Sequence, residues 1–172
     1  MRLHTLALVA LLASGAVLSG QGAETQLATQ LRQLFPSATG FTPMGGTPRH
    51  VKAFSGDASN VIGYAFYTTD LQPLERGYDG PIKFLVGLDR SARLTGIVLV
   101  EHNEPFGNFS IETPGFQGQF KGKDVRDAFR VGEDIDAITR ATVSVTSASR
   151  AVRNGARRIA REFLTPPGQS AR

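Results

Sequence analysis

Ile82-Lys83-Phe84-Leu85-Val86-Gly87-Leu88-Asp89-Arg90-Ser91-Ala92-Arg93-Leu94-Thr95-Gly96-Ile97-Val98-Leu99-Val100 is the stretch that decides the fold. Two short apolar runs, 82–88 and 94–100, are separated by the polar residues Asp89 to Arg93. Runs of that length bounded by turn residues read as strands, and so short a connection joins antiparallel neighbours in a hairpin with a slightly longer loop. Working outward on the N-terminal side, 51–54 and 61–68 are two further strand candidates. A curled antiparallel sheet is therefore expected at the centre.

Helical spacing appears on both sides of these strands. Leu27, Leu31, Leu34 and Phe35 predict a short amphipathic helix over 24–35, stopped by Pro36, and the Gly- and Pro-bearing residues 36–48 read as loop. Val145, Ala148, Val152, Ala156, Ile159 and Phe163 form the core stripe of a final helix over 145–164, ended by Pro166 and Pro167. Between sheet and final helix, 101–123 loses all periodicity to recurring glycines and prolines. Phe106, Phe109, Phe116 and Phe120 argue that this long loop is ordered, because disordered segments are poor in aromatics. The expectation is an α+β domain, a twisted antiparallel sheet flanked by helices, over 23–165, with a disordered tail at 166–172.

With 172 residues and 41% apolar content the chain can bury one ordinary core. Arg2 followed by the apolar or small run 6–18, then Ser19, Gly20, Gly22 and Ala23, reads as a secretory signal over 1–22, and the run is too short to span a bilayer well. The mature protein is expected to be exported and periplasmic, retained at the membrane only if the signal stays uncleaved. The absence of cysteine excludes a lipid-anchored lipoprotein, c-type haem, cysteine-ligated clusters and disulfides. No twin-arginine pair precedes the apolar run, so export in the unfolded state is expected, and any cofactor is acquired outside the cytoplasm. The formal charge of +4 falls by one when Arg2 leaves with the signal, too little to imply nucleic-acid binding. The excess is local: Arg150, Arg153, Arg157, Arg158 and Arg161 stand against Glu162 alone. That arginine face is either a solvated helix face or a dock for an acidic redox partner.

The segment Asp136-Ala137-Ile138-Thr139-Arg140-Ala141-Thr142-Val143-Ser144 carries the chemistry. Thr142 lies just ahead of the final predicted helix, where free N–H groups and the positive end of the helix dipole favour a phosphate. Arg140 could add a charge-assisted contact to it. The plainer reading of Thr139, Thr142 and Ser144 is helix capping. The segment resembles the covalent flavinylation motif, Asp-x-x-Ser/Thr-Gly-Ala-Thr, of the FMN-binding domain family found in the G subunit of Rnf complexes, the C subunit of sodium-translocating NADH:quinone reductases and NosR-type regulators. Gly63-Tyr64-Ala65-Phe66, Gly77-Tyr78-Asp79-Gly80-Pro81-Ile82, Leu85-Val86-Gly87-Leu88-Asp89 and Leu99-Val100-Glu101-His102-Asn103-Glu104-Pro105 are similar to blocks of the NosR type. Glu112-Thr113-Pro114-Gly115 and Gln119-Phe120-Lys121-Gly122-Lys123 are similar to blocks of the Rnf type.

The resemblance covers roughly 63–163. It implies FMN as cofactor, joined by a phosphoester to Thr142 through a dedicated flavin transferase, with Asp136, Thr139, Arg140, Ala141 and Ser144 around the attachment. Glu112, Thr113, Pro114 and Gly115 would wall the isoalloxazine ring, unless they form a plain turn, and His102 would face the flavin or solvent. Two departures stand out: Arg140 replaces the usual glycine before Ala141, and the membrane spans and ferredoxin-like region of full NosR proteins are absent, which implies a stand-alone domain. An unaided threonine hydroxyl is a poor nucleophile, consistent with an external enzyme performing the attachment.

His102 with Glu101 and Glu104 is a candidate metal set, but the remaining histidines are His50 and His4, and a polar loop is the favoured reading, with no metal site expected. Tyr64, Tyr67 and Tyr78 are expected as strand and core residues rather than flavin stackers. No catalytic residue is assigned. The function expected is electron carriage to or from a membrane-bound redox protein or respiratory complex. The alternatives are a redox-sensing module of a respiratory system and a reductase subunit with its own substrate.

Overall fold

The computed structural model of the chain describes residues 17–164; most of the apolar run read as a signal, and the tail 166–172, lie outside them. Helix α1 (Val17–Leu34) leads into strands β1 (Gly40–Phe41), β2 (Val51–Phe54), β3 (Val61–Tyr67), β4 (Lys83–Asp89) and β5 (Leu94–Glu101). A five-residue helix α2 (Pro114–Gly118) and the long α3 (Thr142–Phe163) follow. The five strands form one antiparallel sheet in the order β1-β2-β3-β4-β5. The hairpin expected from residues 82–100 is present, with Leu88 opposite Leu94. Its turn is held by Asp89, whose Oδ1 accepts from the N–H groups of Ser91 at 2.8 Å and Arg93 at 2.9 Å.

Because side chains alternate across a strand, β4 feeds both faces of the sheet. Phe84, Val86 and Leu88 point into a core shared with Val145, Ala148, Val152, Ala156 and Ile159 of α3, all fully buried. The expected stripe of the final helix is thus borne out, and half-buried Phe163 ends it, stacked on Tyr64 at 5.0 Å between ring centroids. Leu85 points the other way, into a second cluster with Leu31, Leu34 and Phe35 around the end of α1. The helix α3 lies close to the sheet at Gly155, where a Cβ would stand 2.5 Å from Phe66 Cε2.

Several expectations are corrected. Among the described residues helix α1 already runs from Val17, ahead of the expected start at 24, and so passes through the positions read as the end of the signal. Apolar spacing marks only a helix's buried face, and no proline interrupts the turns before it. Residues 36–48 contain β1, a two-residue strand that exists by pairing Gly40 with Phe54 and Phe41 with Ala53. The aperiodic 101–123 holds α2, where Pro114 opens the helix and the Thr113 hydroxyl caps it by accepting from Phe116 N at 3.2 Å. Its Phe116 and Phe120 are buried, as the ordered-loop reading requires.

The arginines of α3 form no simply solvated face. Arg157 donates to the carbonyls of Val125 at 2.8 Å and Asp127 at 2.9 Å, Arg158 to that of Gln72 at 3.3 Å, and Arg150 pairs with Glu75 at 2.9 Å. Burial, reinforced by the like charges of Arg153 and Arg161, lowers the Arg157 pKa from its ordinary value. These side chains tie the loops at 72–75 and 125–128 to the helix. Among the described residues no helix is long and apolar enough to cross a membrane.

Candidate functional site: the cleft at the start of the last helix

Helix α3 starts three residues earlier than its periodicity predicted, so Thr142 is its first residue rather than a residue ahead of it. Buried Ala141 is the N-cap, and its carbonyl accepts from Val145 N at 2.9 Å. No side chain caps this end. The capping reading of Thr139, Thr142 and Ser144 is therefore not what the structure has: Thr139 and Thr142 are exposed, and the Ser144 hydroxyl donates to Glu104 Oε2. The N–H groups of the first turn are left without helical acceptors, as at any helix start. Arg140, exposed and just ahead of the cap, has φ of +69°, the left-handed region that favours glycine.

Glu104 organises the opposite wall. Only 5% exposed, its carboxylate accepts from Tyr78 N and Asp79 N, each at 3.0 Å, as well as from Ser144. A Cβ on Gly77 would fall 2.3 Å from Glu104 Oε1, so the turn that begins there requires glycine to bring its N–H groups onto the carboxylate. Glu104 N in turn donates to His102 Nδ1 at 2.9 Å. An accepting Nδ1 leaves the proton of neutral His102 on Nε2, which faces Glu112 Oε1 at 3.1 Å.

Between these walls lies a cleft of about 290 Å³, lined by Tyr78, Pro105 and Phe106 on one side and residues 140–144 on the other. Tyr78 is 74% exposed, Phe106 45%, Phe109 43% and Val143 55%; they are the exposed large hydrophobic side chains among the described residues. Three of them line the cleft, and the Phe109 ring lies 5.5 Å from that of Phe106. Gathering such side chains at one place on a surface marks a binding site. The expectation that Tyr78 is a strand or core residue is overturned, because its turn projects it outward from Glu104. Tyr64 and Tyr67 do lie on β3 and are half-buried.

Of the residues singled out from sequence, Arg140, Ala141, Thr142 and Ser144 come together at this cleft. Thr139 adjoins it in the chain. Asp136 is exposed, and its N–H donates to Gln119 Oε1 at 2.7 Å. Glu112 reaches the site only through His102 and Glu104. Thr113 is occupied in capping α2, Gly115 faces open space, and Pro114 lines a different cavity of about 320 Å³, beside Leu34 and Ile97. Sequence reasoning missed Glu104, Tyr78, Phe106 and Val143 as site residues. Signals existed for Val143, which stands inside the segment 136–144, and for Tyr78, since an aromatic set within Gly77-Tyr78-Asp79-Gly80-Pro81 has no strand to be buried in.

These residues fit a flavin mononucleotide. Tyr78, Phe106 and Val143 offer apolar surface to a ring system, while the uncapped helix start and Arg140 offer N–H groups and a cation to a phosphate. No carboxylate lines the cleft, since Glu104 lies behind Ser144 with its charge met by three donors.

Residues 77–157 match the family model described as FMN-binding domain. The match opens at Gly77, under the Glu104 carboxylate, closes within α3, and so encloses every residue that lines the cleft. This stretch of the chain belongs to the FMN-binding domain family: it is a flavin-binding redox module, and FMN is its cofactor. No curated protein matches the chain.

Proposed function

We propose that the protein is an exported electron carrier that holds FMN through a phosphoester to Thr142 and passes electrons to or from a membrane-bound redox complex. The observation that supports this most is the position of Thr142: an exposed hydroxyl on the first residue of α3, at the mouth of the cleft where the exposed apolar side chains gather. Attachment joins Thr142 Oγ to the FMN phosphorus: the hydroxyl gives up its proton and the phosphorus gives up its leaving group, a nucleoside monophosphate released from a flavin dinucleotide donor, so the chain gains the mass of one FMN less one water. An unaided threonine hydroxyl is a poor nucleophile, which supports assigning the bond-forming step to a separate flavin transferase. Bound FMN supplies one- or two-electron redox chemistry. The protein contributes position: Ser144 and the turn at 77–80 are locked by Glu104, which fixes the distance between Tyr78 and Val143 across the cleft. The apolar run ahead of the described residues supports export, and a covalent link prevents loss of the cofactor outside the cytoplasm.

The deciding experiment is to express the chain with and without a flavin transferase in an exporting host, denature it and weigh it. A gain of one FMN less water, dependent on the transferase and absent from Thr142→Ala, is expected. No gain, or an unchanged gain in Thr142→Ala, overturns the covalent assignment.

A further inference from the structure

We propose that Arg140 makes this cleft a reversible, phosphate-selective receptor for free FMN, capturing the cofactor by ion pairing without need of a bond to Thr142. The inference rests on reading the cleft as the FMN site and deepens it by naming what selects the ligand. Arg140 occupies a left-handed conformation, φ +69°, at the position where the resembling motif has glycine. An L-residue is held there at an energetic cost that glycine would avoid. Its guanidinium makes no hydrogen bond or ion pair among the described residues, whereas Arg126, Arg130, Arg150 and Arg157 are all engaged with carboxylates or carbonyls. It is also the one charged side chain lining the cleft.

The helix start alone does not explain phosphate selection. The Glu104 carboxylate, bonded to Ser144 in the first turn of α3, already offsets part of the positive field at that end. A fixed cation one residue ahead of the cap restores it, and a guanidinium fork matches two phosphate oxygens at once. A free phosphate monoester carries about −1.5 to −2 charges at neutral pH, against a single charge on a diester. Arg140 therefore acts most strongly on FMN that is not yet attached, and hardly at all on riboflavin, which has no phosphate.

The test uses chain produced without a flavin transferase, both unaltered and as Thr142→Ala, titrated with FMN and with riboflavin while flavin fluorescence is followed. Both forms should bind FMN about ten- to a hundredfold more tightly than riboflavin, the range of one charge-assisted contact, and the preference should shrink as salt rises. Arg140→Gly should lose the preference while melting no lower than the unaltered chain, because glycine accepts this φ. Arg140→Lys should keep part of it. Equal affinity for the two flavins, no binding of either, or an Arg140→Gly chain that binds FMN as tightly as the unaltered one overturns the proposal. The covalent assignment fails separately, by the absence of a mass gain in transferase-treated chain, and that result leaves the titrations unaffected.

Discussion

Glu104 draws three hydrogen bonds from two distant segments onto one buried carboxylate, and its neighbours are built around it. Replacing it with alanine leaves Tyr78 N, Asp79 N and the Ser144 hydroxyl without their acceptor. Water entering from the cleft meets part of that demand, so Glu104→Ala should lower stability by about 2–4 kcal/mol, measured by urea unfolding, and should weaken flavin binding in the same sample. A loss below about 0.5 kcal/mol would mean that the carboxylate is not holding the turn. Glu104 was unreadable in advance because a buried acid has no periodicity; its partners lie 25, 26 and 40 residues away. Arg140 and Thr142 were legible as a motif. What the motif did not reveal was that Arg140 sits at positive φ and that Thr142 is the first residue of the helix rather than a residue before it.

Helix α3 joins the core to the cleft, so changes along it act on both. Gly155→Ala would place a methyl 2.5 Å from Phe66 Cε2 and should destabilise by about 1–3 kcal/mol, read as a lower melting temperature. A melting temperature unchanged from the unaltered chain would show that the Phe66 ring yields freely. The loop that α3 grips through Arg157 begins at Asp124, whose pKa is held well below the ordinary carboxylate range by the side-chain hydrogen bond from Arg126, aided by the Arg126 N–H. A carboxylate depressed in the folded state stabilises the fold above its unfolded pKa of about 3.9 and loses that contribution as pH falls toward the folded value. Thermal melts from pH 6 downward should therefore fall below about pH 4, and Asp124→Asn should flatten that fall. Parallel profiles for the two proteins would remove Asp124 from the account. The stripe of α3 and the strands β2 to β5 were legible because their periods, 3.6 and 2, are local; β1 and α2 were not, since a two-residue strand and a five-residue helix are too short to show a period.

At the scale of the molecule, the sheet presents one face to α1 and the other to α3, and the cleft opens where α3 begins and the turns after β3 and β5 converge on it. The match over residues 77–157 covers that half of the structure: β4, β5, α2 and most of α3. Sequence by itself determined the antiparallel hairpin at 82–100 and the apolar stripe of the last helix, because each is written in neighbouring residues. It also led to FMN, through blocks similar to those of the family. Only the tertiary structure decided that Tyr78, Phe106 and Val143 share a surface, that Glu104 locks the turn to the helix, and that the Glu112-Thr113-Pro114-Gly115 segment is largely committed to α2 rather than to the cleft. Those relations depend on which distant segments meet, and burial and hydrogen bonding settle that after the chain has folded back on itself.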